Sequence, residues 1–117
     1  MSIRTQIDRC IQEVTTHDGQ ITATLCFGKD FLGFQGHFPQ NPILPGMCLL
    51  ETVLVLIQQL KGTSVRMTEL VVSKFFTVVL PDQMVTVECT LKGDTVVAHV
   101  NTNTQRIAQI KMKVAYA

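Results

Sequence analysis

From Met47 to Leu60 the chain reads MCLLETVLVLIQQL, apolar on nearly every side if wound as a helix. A strand of that length is implausible, and Leu, Met, Gln and Glu favour helix. Pro45 and Gly46 open the element, proline being suited to a first helical turn, where its missing N–H is not needed. Lys61 and Gly62 close it, with a cation near the negative end and a glycine for a left-handed exit. A helix without a polar face has to be buried in a core rather than laid on a surface.

Most of the remaining chain has the period of strands. Ile7 to Val14 reads as a short strand, followed by a turn at THDGQ, where Asp18-Gly19 is a hairpin signal. ITATLCF then alternates strictly, with Ile21, Ala23, Leu25 and Phe27 on one face and Thr22, Thr24 and Cys26 on the other. About twenty residues of loop rich in Gly, Phe and Pro precede the helix, and ordered loops of that length are often functional. After the helix, Arg66 to Leu80 reads as a long β-rich segment stopped by Pro81-Asp82. MVTVECTL, the Lys92-Gly93-Asp94 turn, TVVAHV, a polar turn through Asn101 to Thr104, and QRIAQIKMKVAYA complete the chain. In the last of these Ile110, Met112, Val114 and Tyr116 share a face opposite Lys111 and Lys113. The order β-β-α-β-β-β-β predicts an α+β fold in which an antiparallel sheet is wrapped around one long central helix, with residues 1–117 as a single domain.

Hydrophobic residues make up 46% of the 117 and charged residues 16%, with a mean hydropathy of +0.27. That is rich for a small monomer and predicts apolar surface covered by another subunit. A net charge of +1 and no basic block argue against nucleic acid or an anionic membrane as partner. The start, MSIRTQIDRC, lacks the apolar stretch of a signal peptide, and no run approaches the roughly 18 residues of a membrane helix, so the expected location is the cytoplasm. Cys10, Cys26, Cys48 and Cys89 are scattered among apolar neighbours with no zinc-ligand spacing. They are expected to be buried free thiols, with neither metal nor cofactor.

One stretch breaks the apolar pattern: GHFPQNPILPGMCLLE carries a histidine, three prolines spaced by threes, and Glu51 alone among aliphatic residues. It resembles the signature of the FabZ-type 3-hydroxyacyl-[acyl-carrier-protein] dehydratases of the hotdog fold, G-H-F-P-x-x-P-x-x-P-G followed by an aliphatic run ending in glutamate. The matching positions are Gly36, His37, Phe38, Pro39, Pro42, Pro45, Gly46 and Glu51. Downstream, SKFFTVVLPDQM resembles the family's K-F-x-x-x-V-x-P-G-D strand at Lys74, Phe75, Val79 and Pro81.

The resemblance implies a dehydration in which a base takes a proton from C2 of a 3-hydroxyacyl thioester and an acid assists loss of hydroxide from C3. His37 is then the C2 base, and Glu51 of the partner protomer in a homodimer is the hydroxyl-side acid. Gly46 donates its N–H to the thioester oxygen. Phe34, Phe38, Pro39, Met47 and Val55 are the positions expected to line the substrate. Glu51, flanked on the helix by Cys48, Leu54 and Val55, is expected to be unpaired, with a pKa raised by desolvation. The implied partners are an acyl carrier protein and a second copy of the chain, as a homodimer or a trimer of dimers. Arg66, Lys74 and Arg106 are candidates for carrier docking.

Blander roles stand beside these. A lone loop histidine is more often hydrogen-bonded or exposed than catalytic, Gly46 can simply permit close packing, and Phe27, Phe31, Phe34 and Phe38 can fill core as readily as line an acyl tunnel. His17 and His99 are expected to face solvent. The chain also departs from the family. Thr52-Val53-Leu54-Val55 stands where A-M-A-Q is usual, so Val55 replaces a glutamine that supports the acid. Pro81-Asp82-Gln83 lacks the glycine of the P-G-D turn. A divergent branch, serving a secondary-metabolite or polyene pathway, is the implied placement. A hotdog thioesterase and a non-catalytic acyl-binding or scaffold subunit are the alternatives.

Overall fold

The computed structural model describes residues 2–35 and 43–117. In chain order the elements are α1 (Ile3–Cys10), β1 (Ile11–His17), β2 (Gln20–Cys26), a 3-10 turn (Leu32–Phe34), α2 (Gly46–Lys61), β3 (Val65–Phe75), β4 (Met84–Lys92), β5 (Thr95–Asn101) and β6 (Arg106–Tyr116). The strands form one antiparallel sheet in the order β1-β2-β4-β5-β6-β3. β3 reaches its edge position by crossing the sheet, which is what α2 makes room for.

Alternation determines which face meets the helix. Ile21, Ala23 and Leu25 of β2, Val85, Val87 and Cys89 of β4, and Val96, Ala98 and Val100 of β5 are all buried, as are Ile110, Met112 and Val114 of β6. Against them lies α2, buried without interruption from Thr52 to Ile57. Burying one such aliphatic side chain stabilises the fold by about 1.5–3 kcal/mol, so this layer holds the domain together. Thr52, the polar member of the run, donates its hydroxyl to the Cys48 carbonyl at 2.7 Å, which removes the cost of burying it. Gly62 ends the helix in the left-handed region at φ 70°.

Three sequence expectations are corrected. Ile7 to Val14 is not one strand: its first half belongs to α1. Ser2 caps that helix by accepting from the Thr5 N–H, and Ile3, Ile7 and Cys10 at helical spacing turn toward the core. Pro45 stands one position ahead of the helix, extended at φ −62° and ψ 145°, rather than inside its first turn. The strand expected to run from Arg66 to Leu80 stops at Phe75. There the N–H groups of Phe76 and Thr77 both turn to the Ile107 carbonyl, and the ladder ends.

The four cysteines are free, Cys48 and Cys89 buried and Cys10 and Cys26 half-buried. His17 and His99 are exposed, as expected. Tyr116 is more than a third exposed, so the core face of β6 ends at Val114. No helix among the described residues is long and apolar enough to cross a membrane.

Candidate active site

Glu51 lies on the second turn of α2, on the stripe Met47, Glu51, Gln58 that interrupts the helix's burial. It is not unpaired. Arg4, from the first turn of α1, donates Nε to Glu51 Oε2 at 2.6 Å, with about a quarter of the glutamate side chain left in solvent. The expectation of a lone carboxyl in an apolar setting is therefore corrected, and with it the desolvation argument that assumed no partner. The cause is α1, which the strand-like reading of the N-terminus concealed.

The same guanidinium is held from behind. Its Nη1 donates to Gln58 Oε1 and to the Val65 carbonyl, both at 2.7 Å. Gln58 Oε1 also accepts from the Val65 N–H at 3.3 Å, joining the end of α2 to the start of β3. α1 is docked by two further contacts. Gln59 donates to Asp8 at 2.7 Å, and the Gln6 carboxamide oxygen accepts from the Leu32 N–H at 3.3 Å. The second contact ties α1 to the turn that leads into the His37 loop.

A cleft of about 310 Å³ opens beside Glu51, lined by Ile3, Leu32, Gly33, Gln35, Pro45, Met47 and Cys48. Gly33 makes the close approach possible: a Cβ there would lie 2.7 Å from the Phe31 ring and 2.8 Å from Cys48 Sγ. Met47, 69% exposed, stands at the rim. Burial first, and the Glu51 charge second, push the Cys48 thiol up, so it stays protonated and is no nucleophile at neutral pH.

At the tip of α2, Gly46 and Met47 carry N–H groups that no preceding turn of helix can satisfy. The Phe75 ring at the end of β3 lies over this tip, and a Cβ on residue 46 would come within 2.8 Å of it. Gly46 therefore has a packing reason to be glycine as well as a position from which to donate. Phe34 is buried edge-on to Phe31, with ring centroids 6.1 Å apart. It fills core, while its neighbours Leu32, Gly33 and Gln35 reach the cleft. Val55 is buried one turn beyond Glu51 and lies beneath Arg4 in a second groove, lined also by Gln58 and Gln59. His37, Phe38 and Pro39, with Gly36 and Pro42, lie outside the described residues.

Of the basic candidates, Arg66 and Lys74 are exposed on β3, and the Arg106 guanidinium stacks 4.2 Å from the centroid of the Phe76 ring. The altered turn is also resolved. Asp82 takes the place of the missing glycine in a left-handed conformation at φ 65°, donating its N–H to the Phe27 carbonyl at 2.8 Å. Aspartate tolerates that region better than most residues. Arg4, Gln58 and Gly33 are the site residues that sequence reasoning missed. The helical spacing of Ile3, Ile7 and Cys10 behind Ser2 was the signal for α1, but nothing in the sequence pointed to the pairing itself.

A six-stranded antiparallel sheet packed on one long helix defines a hotdog domain. A family model described as ApeI-like, ApeI dehydratase, matches residues 12–113, and the chain belongs to that family. It is 36% identical over 66 residues to the 3-hydroxyacyl-[acyl-carrier-protein] dehydratase FabZ of Latilactobacillus sakei, a match spanning 50% of this chain and 47% of that enzyme. Among solved structures, the dehydratase heterocomplex ApeI:P from Xenorhabdus doucetiae superposes with a TM-score of 0.82 at 18% identity, over 90% of this chain and 96% of that one. A hypothetical thioesterase with coenzyme A from Streptococcus pneumoniae gives 0.70 at 9% identity, over 98% and 94%. At such identities the two structures establish the fold alone. The FabZ resemblance read from the motif is upheld, with the ApeI-like branch as its place.

Proposed function

We propose that the chain is a hydro-lyase converting 3-hydroxyacyl-[acyl-carrier-protein] thioesters to trans-2-enoyl thioesters, in fatty-acid or polyene-type biosynthesis. The observation that carries this is Glu51 in a cleft lined also by Leu32, Gly33 and Gln35, the last of which is two residues from His37 in the sequence. His37 takes the C2 proton. The partner subunit's Glu51 is the hydroxyl-side acid: a proton on the carboxyl oxygen that Arg4 does not engage passes to the C3 hydroxyl, directly or through a water, as the C3–O bond breaks and water leaves. Gly46 donates its N–H to the thioester oxygen as negative charge builds there. Met47, Phe38 and Pro39 contact the acyl chain.

A homodimer with shared sites is supported by β3. This edge strand leaves Met67, Leu70, Val71 and Phe75 more than a third exposed, together with an unpaired row of backbone groups, a combination that invites a second strand. The acyl carrier protein, being acidic, would approach exposed cations, with Arg66, Lys74 and Arg106 as the candidates.

Incubation with a 3-hydroxyacyl carrier-protein thioester separates the readings. Enoyl product supports dehydration, free acid a thioesterase, and unchanged thioester an acyl-binding subunit. His37→Ala and Glu51→Gln are each expected to abolish water loss while the far-ultraviolet spectrum stays native. Normal turnover in both variants would end the assignment.

A further inference from the structure

We propose that Arg4 is a positioning residue for Glu51, so that α1 is part of the catalytic apparatus rather than packing alone. The proposal rests on the reading of Glu51 as a reacting group. A carboxylate on a helix needs help to hold one rotamer, because its side chain otherwise turns freely in the cleft. The natural place for that help is one turn onward on the same face, where Val55 offers no polar atom. The help comes instead from outside the helix.

Arg4 is built for this. Its Nη1 is fixed by two acceptors that belong to neither α1 nor Glu51, the Gln58 carboxamide and the Val65 carbonyl. The guanidinium plane is thereby set before it meets the acid, and a planar fork with set orientation fixes the position of the oxygen it binds. Only Oε2 is engaged at 2.6 Å, so Arg4 fixes the torsion of the carboxylate without capping both oxygens. Ile3, the residue before Arg4, lines the Glu51 cleft itself, so the first turn of α1 touches the site twice. A purely stabilising ion pair would not require the second pair of anchors.

The test is a mutant cycle on the 3-hydroxyacyl carrier-protein thioester, following enoyl formation. Arg4→Met is expected to lower kcat by roughly a hundredfold, the cost of about 1 Å of misplacement at a reacting group, with KM nearly unchanged. In a Glu51→Asp background, where the shortened acid keeps a measurable rate but no longer reaches the guanidinium, the same change should cost little further. Arg4→Lys should recover part of the loss, keeping the charge but not the fork.

Gln58→Leu supplies a second route should Arg4→Met fold poorly. It removes one of the two anchors of the guanidinium without touching Glu51, and should lower kcat in wild-type background only. An Arg4→Met enzyme with full kcat beside an inactive Glu51→Gln enzyme overturns this proposal alone, as do losses that multiply in the double variant. Glu51→Gln with full kcat overturns the assignment of the site and the proposal together.

Discussion

β1 and β3 are both edge strands, and both leave most of their side chains in solvent, yet they differ in how much apolar surface they expose. β1 exposes Gln12, Glu13, Thr15, Thr16 and His17 with Val14 the one large apolar residue more than a third exposed, whereas β3 exposes Met67, Leu70, Val71 and Phe75 interspersed with Arg66, Thr68, Glu69, Ser73 and Lys74. Polar and charged residues along an edge discourage further pairing, and apolar ones do not. The difference makes β3, rather than β1, the edge at which the proposed second copy would pair. It also locates the site. Phe75, the last residue of the apolar edge, lies on the tip of α2, so whatever covers β3 reaches Gly46, Met47 and the Glu51 cleft.

The most drastic way to break the comparison is to make β3 like β1. Leu70→Asp combined with Val71→Asp is expected to convert a dimer to a monomer in sedimentation velocity and to remove most turnover. A variant that sediments as the wild type would show that β3 is not the covered edge. A smaller effect is expected at the junction of edge and site. Gly46→Ala brings a methyl against the Phe75 ring, which should cost about 1–3 kcal/mol in urea unfolding and depress kcat, with Phe75→Ala restoring stability in the double variant. If Phe75→Ala does not compensate, the ring is not what makes residue 46 a glycine.

On the β1 side, Gly19→Ala forces a side chain onto φ 76° and within 3.1 Å of the Leu91 carbonyl. The expected cost is about 1–2 kcal/mol, with sedimentation and turnover per folded molecule unchanged. Any change in assembly from this turn would blur the distinction between the two edges. The smallest effect is assigned to Val14→Thr, within about 0.5 kcal/mol by urea unfolding and silent in sedimentation.

Much of this was legible beforehand because it is local. Strict alternation in ITATLCF appears as buried Ile21, Ala23 and Leu25, and the all-round apolar run appears as unbroken burial from Thr52 to Ile57. The Asp18-Gly19 hairpin has both residues at positive φ, as that dipeptide foretells. The motif around His37 and Glu51 placed the chain in a dehydratase lineage, and the family match agrees. The errors came where local preference is weak. Ile7 to Val14 carries enough β-branched and polar residues to pass for a strand, and only the core contacts of Ile3, Ile7 and Cys10 make its first half a helix. Arg66 to Leu80 is β-rich enough to pass for one strand, and only the turn of Phe76 and Thr77 toward Ile107 ends it.

By itself, then, the sequence determined most of the strands, the buried helix and the single carboxylate that helix carries. Each of these follows from side-chain periodicity or from the conformational demands of a few adjacent residues. Tertiary structure alone decided what surrounds that acid. The Arg4 and Glu51 side chains are 47 residues apart in the chain and 2.6 Å apart in space, and the anchors at Gln58 and Val65 are more distant still from Arg4. No periodic pattern encodes such a meeting, because it depends on where α1 comes to rest across α2, and that is settled by the packing of Ile3 and Ile7 against a core the rest of the chain must first assemble.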